Sequence, residues 1–391
     1  KAVAVVPMLA DSTCVIAASY EAKRFGIKTG TLVGEAKKMC AGLILKPATP
    51  ALYTHYHRRV LEVVENVLPV EKVCSIDEMR FQLIGKEREP EEASRLAKRL
   101  KQVLFDQVGP SMTCSIGIAP NSFLAKLGTE MQKPDGLVVI QQSDLPTCFE
   151  RLKLTDFTGI NRRMQARLNA AGVFTPMDMF ALSAKELRVA FGSVTGERWW
   201  YLLRGHSIEE DDEPRKSLSH SHVLPPALRT EVGCREVLLR LIQKASARLR
   251  ANHLWAGHMT VSVRGFESSW KADAKLPPTQ DTLTFNEYFN QMWETRSFHR
   301  PRGVAVVFTD LRTDDEVTFS LFDSTQERAK LNAAVDEMNQ KFGKNTVFIA
   351  ALEGAKDTAD EKIAFNKTWL FSEGKGDNEW PDTFRGPESE D

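Results

Sequence analysis

The stretch from Pro69 to Gly85 leaves this chain the fewest choices. Two runs rich in apolar residues, Val70–Val73 and Met79–Ile84, flank Cys74-Ser75-Ile76-Asp77-Glu78. The bracketing proline and glycine argue against a continuous helix. The pattern predicts strand, turn, strand: a hairpin whose tip presents Asp77 and Glu78. Adjacent carboxylates repel unless a positive charge sits between them. A divalent metal meets that need, and Mg²⁺ accepts one or two carboxylates together with phosphate oxygens. A solvated turn would use the same residues, and this stretch by itself leaves both readings open.

At 391 residues the chain is too long for one ordinary core, which predicts several domains. No apolar run reaches the roughly 20 residues that a membrane-spanning helix needs, so a membrane role is not expected. With 52 Lys+Arg against 52 Asp+Glu, a nucleic-acid surface would have to come from segregated charge. The six cysteines (Cys14, Cys40, Cys74, Cys114, Cys148, Cys234) form no Cys-x-x-Cys pair and meet no histidine cluster. They predict no zinc site and read as small core residues of a reducing compartment, cytoplasmic or, in a eukaryote, nuclear. Lys1 is followed at once by a strand-like run, Ala2–Val6, which predicts that the numbering starts inside a domain.

Ala2–Val6 and Cys14–Ala18 read as strands joined by a loop at Asp11. Ser19–Gly26 reads as a short helix closed by glycine, and Glu35–Cys40 as a second. Apolar spacing predicts a helix over Tyr53–Leu68, with Tyr53, Tyr56, Val60, Leu61, Val64 and Leu68 on its face, and another over Pro90–Gln107. Met112–Ala119 and Leu137–Ile140 read as strands around a helix at Asn121–Met131, and the whole predicts an α+β sandwich. Leu152–Arg204 reads as helical throughout, with turns at Gly159, Gly172 and Gly192. There Thr158-Gly159-Ile160-Asn161 has the layout of a helix–hairpin–helix, whose turn brings backbone N–H groups to a phosphate. Asn161 replaces the usual second glycine.

The polar stretch His206–Leu218 reads as a linker. Beyond it come a strand to Leu224, a helix at Val232–Asn252, strands at His258–Arg264 and Ser268–Leu276, a helix at Phe285–Glu294, and strands at Gly303–Leu311 and Val317–Leu321. This is a split β-α-β-β-α-β arrangement. A helix at Glu327–Phe342, a strand at Val347–Ala351 and a polar tail follow.

Three separated stretches together resemble a Y-family, translesion DNA polymerase of the DNA polymerase IV type. They are Ala18-Ser19-Tyr20-Glu21-Ala22-Lys23-Arg24-Phe25-Gly26, then Cys74–Glu78, then Ser115-Ile116-Gly117-Ile118-Ala119-Pro120-Asn121 running into Ala125-Lys126 and Lys133-Pro134-Asp135-Gly136. The resemblance extends from residue 1 to about residue 325. It implies an α+β multidomain fold: a palm with an antiparallel sheet, small fingers, a helical thumb with the helix–hairpin–helix, and a little finger of βαββαβ type. The implied boundaries are palm 1–16 and 49–150, fingers 17–48, thumb 151–206, linker 207–217, little finger 218–325 and an extension 326–391.

The resemblance implies transfer of deoxynucleotides from deoxynucleoside triphosphates to the 3′-OH of a primer–template DNA, across damaged template. Such transfer is mostly positioning and charge neutralisation, with two Mg²⁺ about 3.5–4 Å apart. Asp77 would bridge both ions, and Glu78 would hold the one that acidifies the 3′-OH. Tyr20, Lys23 and Lys126 would bind the triphosphate. Lys23 stands where many relatives carry arginine, which keeps the charge without the bidentate fork. Ala17 stands where relatives often carry a hydroxyl. The Gly159 turn with Arg162, Arg163 and Arg167 would hold DNA phosphates on the primer side, with the little-finger sheet across the groove.

The family's first metal-binding aspartate lies on a strand ahead of Ala2–Val6, with an aromatic gate against ribonucleotides just after it. Neither is in the numbered chain, and Asp11, in a loop, is a poor substitute; the expectation is that the numbering omits an N-terminal piece. One alternative is a non-catalytic relative serving as a DNA- and partner-binding scaffold in damage tolerance. Another is a nucleotide cyclase, in which the thumb-like helices and the terminal domain would have no role. Thr318-Phe319-Ser320-Leu321-Phe322 resembles the peptide by which such polymerases hook a sliding clamp, without its leading glutamine; Phe319 and Leu321 could equally be strand core.

Overall fold

Ala4 and Val6 are fully buried on the strand Val3–Val6 (β1), so one face of that strand is covered. β1 pairs antiparallel with Ala17–Ala18 (β2) and parallel with Ile44–Pro47 (β3). The helices Tyr20–Lys23 (α1) and Val33–Met39 (α2) supply Ala22, Val33 and Ala36 to the same small core, with Ile27 between them. Ala4 lies opposite Ala18, which packs against this same core. The computed structural model describes residues 1–208, 216–317, 325–343, 346–355 and 358–359. The clamp-like peptide Thr318–Phe322 and the polar tail lie outside the described residues. The chain divides into two compact units at position 210/211.

In the first unit, Pro50–Glu65 (α3) and Pro90–Gln107 (α4) cover a hairpin made of Val70–Val73 (β4) and Met79–Phe81 (β5). Val63, Val64, Leu100 and Leu104 pack against Val70, Met79 and Phe81. Each such side chain contributes roughly 1.5–3 kcal/mol when fully buried, so the base of the hairpin is firmly seated. The buried side of α3 is formed by Thr54, His57, Val63 and Val64, and Tyr56 is 39% exposed. Of the predicted face, Val64 and Leu68 are buried and Val60 packs against the core, with His57 and Thr54 beside them.

Ile116–Ile118 (β6) and Leu137–Val139 (β7) pair parallel, because Ser122–Met131 (α5) crosses over between them. Within 49–150 the strands form one antiparallel pair, β4 with β5, and one parallel pair, β6 with β7. Four helices follow: Arg162–Ala170 (α6), Pro176–Ala181 (α7), Ala184–Phe191 (α8) and Val194–Leu203 (α9). They bury Leu168, Met179, Leu187, Phe191 and Trp199 together with Leu124 and Leu127 of α5. Asn121 fastens this contact. Its Oδ1 accepts from the Leu124 N–H (2.8 Å) to cap α5, and its Nδ2 donates to the carbonyls of Leu202 (2.8 Å) and His206 (2.9 Å).

The second unit is a four-stranded sheet in the order β10-β9-β11-β8, formed by Ser217–Val223 (β8), Leu254–Ser268 (β9), Trp270–Thr279 (β10) and His299–Thr313 (β11). Glu231–Ala251 (α10) links β8 to β9, and Thr282–Trp293 (α11) links β10 to β11. Each crossover skips one antiparallel strand, which is the split arrangement the sequence suggested. Met259, Val261, Val304, Val306 and Phe308 meet Val237, Leu241, Phe285 and Phe289 of the helices. Phe285 stacks on Phe308 with ring centroids 4.2 Å apart. The other sheet face carries Ser219, Ser221, Thr260, Ser262, Ala305 and Val307 in register, with Lys271, Asp273 and Lys275 along β10.

Thr325–Phe342 (α12), beyond the βαββαβ core, folds onto this unit. Arg250 holds Asp336 through two nitrogens, at 2.6 and 2.9 Å. Asp281 caps α11 by accepting from the Thr284 N–H (2.9 Å), and it also accepts from Asn332 Nδ2 (2.7 Å) and pairs with Arg328 (3.3 Å). Burial alone would raise its pKa; the hydrogen bonds from Asn332 and Thr284 outweigh burial and hold it below the ordinary aspartate value. A carboxyl whose folded pKa is depressed stabilises above its unfolded value, near 3.8, and that stability is lost as pH falls through the folded value. Asp281→Ala is expected to destabilise this unit by about 2–4 kcal/mol at neutral pH, from the lost cap and the stranded Asn332 amide. Thermal unfolding of parent and variant should converge on acidification; a constant gap down to pH 2 would refute the assignment. No helix among the described residues is long and apolar enough to cross a membrane.

Candidate active site

The turn between β4 and β5 closes on one acceptor: the N–H groups of Cys74 (2.9 Å) and Ser75 (3.1 Å) both donate to the Glu78 carbonyl. Inside that turn the Ser75 hydroxyl donates to Asp77 Oδ1 (2.7 Å) and accepts from the Asp77 N–H (3.3 Å). The Asp77 carboxylate is thereby aimed by its own loop while remaining exposed. Arg80, just past the tip, bridges Glu71 (3.0 Å) and Ser122 at the start of α5 (3.3 Å).

Lys126 on α5 reaches Glu78 Oε1 at 2.5 Å and Glu130 Oε1 at 2.9 Å. Partial burial works against its charge, but the two carboxylates overcome this and hold the ammonium's pKa above the usual lysine range. Glu130 likewise stays below the usual carboxylate range: burial would raise it, and Lys133 and Lys126 more than compensate. The structure therefore gathers Asp77, Glu78 and Lys126 at one place. Among the described residues no three His, Cys, Asp or Glu side chains cluster as a metal cage. The donors at the tip are hard carboxylate oxygens, which suit an ion that completes its shell with water and phosphate oxygens. Asp11 has other work: it pairs with Lys37 at 2.6 Å, and its backbone carbonyl accepts from the Gly34 N–H.

Tyr20 and Lys23 meet on the single turn of α1. Ser19 caps that turn by accepting from the Ala22 N–H (3.2 Å), and Lys23 Nζ lies 4.3 Å from the centre of the Tyr20 ring. Both side chains are exposed, so a phenol hydroxyl and an ammonium are offered to solvent from one helix face. Ala17 sits in β2 opposite Val5.

At the helix–hairpin–helix, Gly159 has φ +106°, a conformation that side chains resist. Asn161 caps α6 by accepting from the N–H groups of Arg163 (3.0 Å) and Met164 (2.9 Å). Two of the N–H groups that the motif would offer a phosphate are thus already engaged. Arg162 and Arg163 are exposed at the helix start. Arg167 is exposed as well, and its Nη1 donates to the Phe191 carbonyl (2.8 Å) at the end of α8. A helix C-terminus leaves carbonyls unpaired, and this arginine caps one of them.

Sequence reasoning missed Asn121, Glu130 and His57. The first two were legible in principle, as a cap residue after proline and as a carboxylate four residues past Lys126. Nothing local marks His57, whose Nδ1 lies 2.6 Å from the Ile76 carbonyl.

Residues 1–130 match the impB/mucB/samB family, and residues 215–321 match the impB/mucB/samB family C-terminal domain. The DNA polymerase IV of Moorella thermoacetica is 30% identical over 356 residues, covering 87% of this chain and 87% of that one. That of Aeromonas hydrophila subsp. hydrophila is 31% identical over 252 residues, covering 62% of this chain and 68% of that one. Among solved structures, the Y-family DNA polymerase chimera Dbh-Dpo4(243-245)-Dbh matches with a TM-score of 0.66 at 21% identity, over 80% of this chain and 93% of that one. At that identity the likeness speaks for the fold.

Folds and sequence matches together define a metal-dependent nucleotidyltransferase class. The chain belongs to the impB/mucB/samB family, the Y-family DNA polymerases of the DNA polymerase IV type. Membership makes it a DNA-directed DNA polymerase of the translesion kind, and the non-catalytic scaffold is not favoured.

Proposed function

We propose that Asp77 and Glu78 carry this chain's reaction, holding two Mg²⁺ ions against a deoxynucleoside triphosphate and a primer 3′-OH. When bound, such ions neutralise phosphate charge and lower the pKa of the attacking hydroxyl. The chain's own residues do the positioning. Ser75 fixes the Asp77 carboxylate, and Lys126, already beside Glu78, can swing its ammonium onto phosphate oxygens. Tyr20 and Lys23 offer a hydroxyl and a cation to the same triphosphate. The Gly159 turn with Arg162 and Arg163 grips DNA phosphates, and the open face of the second unit's sheet offers small side chains with Lys271 and Lys275 to a duplex backbone. Six scattered cysteines, none in a disulfide among the described residues, support a reducing compartment, cytoplasmic or, in a eukaryote, nuclear.

The observation that carries this reading is the pair of carboxylates on a seated hairpin tip with Lys126 lodged against one of them. The test is primer extension with Mg²⁺, all four deoxynucleoside triphosphates and a templated primer. Addition that follows the template and stops with EDTA is expected; no addition with Mg²⁺ or Mn²⁺ would return the scaffold reading. With about four phosphate contacts, affinity for primer–template should fall about 10²-fold between 50 and 200 mM salt. A flat salt response would remove Arg162 and Arg163 from the contact scheme.

A further inference from the structure

His57 is 5% exposed in the middle of α3, and its Nδ1 lies 2.6 Å from the carbonyl of Ile76. A carbonyl only accepts, so the imidazole carries its proton on Nδ1 and donates it. The peptide unit joined there is Ile76–Asp77. Its carbonyl end is held by His57, and its N–H end donates to Ser75 Oγ, whose hydroxyl donates in turn to Asp77 Oδ1. One peptide plane is therefore pinned at both ends, and the side chain it sets is the Asp77 carboxylate. The two pins have different origins. Ser75 belongs to the turn and moves with it, whereas His57 stands on a helix fixed in the core through Val63 and Val64. His57 ties the turn to the core helix α3, while Lys126 engages Glu78 from α5.

We infer that His57 is a positioning residue for nucleotide transfer, holding the acidic turn in register with the body of the first unit. The inference rests on the polymerase reading above. Without that bond the Ile76–Asp77 peptide can rotate, and the Asp77 carboxylate moves with it. A displacement near 1 Å at a reacting centre costs about 10²-fold in rate.

Side-chain geometry separates this role from mere packing. The amide nitrogen of asparagine branches at the position of Nδ1, whereas that of glutamine lies one bond further out. Single-nucleotide incorporation should be measured for the parent and for His57→Ala, His57→Asn and His57→Gln, alongside Mn²⁺ titration of each protein by electron paramagnetic resonance without DNA or nucleotide. His57→Ala and His57→Gln are expected to lose about 10–100-fold in maximal rate, with nucleotide KM and primer–template affinity nearly unchanged. His57→Asn should stay within about 3-fold of the parent, and Mn²⁺ affinity should follow the same order. Parent-like rates in His57→Gln, or an asparagine variant as impaired as the alanine one, would overturn the inference. If the parent extends no primer, the polymerase reading fails on its own. The Mn²⁺ series then decides: weaker binding in the alanine and glutamine variants alone supports the role of His57, and equal binding in all four proteins refutes it.

Discussion

Asp77→Asn and Glu78→Gln are each expected to cut primer extension by at least about 10³-fold, on the order of 4 kcal/mol of barrier. Both changes keep shape and remove one negative charge, so they act on charge neutralisation rather than on packing. Asp77 is exposed and Glu78 half-buried, and neither supports the core beneath the hairpin. Thermal stability should therefore stay within about 1 kcal/mol of the parent. Primer–template affinity should also hold, because Arg162, Arg163 and the sheet of the second unit are untouched. The two variants should differ in one respect. Glu78→Gln takes an ion-pair partner from Lys126, leaving it Glu130, so this variant should bind nucleotide triphosphate at least as well as the parent while failing to turn it over. Stopped-flow nucleotide binding with gel-based extension checks both statements. Normal extension by both variants would leave the tip without a chemical role.

Much of this was legible in local pattern, and what was not follows from contacts between distant residues. The hairpin could be read because Pro69 and Gly85 punctuate it and Asp77 and Glu78 have no other apolar-run neighbours. The order of elements in the second unit could be read for the same reason. Apolar spacing found Val60 and Val64 on the inner face of α3, and Leu68 just past its end, but not His57, which enters the same face beside the Ile76 carbonyl. The bond from Arg167 to the Phe191 carbonyl was not legible, because that carbonyl lies two helices away. The association of α12 depends on Asp281 meeting Asn332, which no periodicity in either segment announces.

Gly117→Ala should destabilise the first unit by about 3 kcal/mol or more, which for a body of this size is a fall of roughly 6–12 °C in melting temperature. The glycine is required by space. A Cβ at position 117 would lie 1.9 Å from the Ala125 carbonyl oxygen and 2.9 Å from the Thr129 nitrogen, both backbone atoms of α5. Neither can rotate away as a side-chain tip could, so the helix must retreat from β6 by more than an ångström. Retreat has a functional cost because α5 carries Lys126, one residue from the point of collision, and Asn121 caps the same helix while holding the end of α9. The variant should therefore lose extension activity even at temperatures where it remains folded, through a raised KM for the nucleotide as Lys126 withdraws. Gly128→Ala is the control on the facing side. Its Cβ would meet the Gly117 Cα at 3.2 Å, a contact that small shifts can relieve, and alanine's better helix propensity returns up to about 1 kcal/mol. Near-parental melting for Gly128→Ala with a large loss for Gly117→Ala is the expected pair. If Gly117→Ala melts within a degree or two of the parent, α5 does not bear directly on the β6 backbone, and the placement of Lys126 beside Glu78 loses its structural cause.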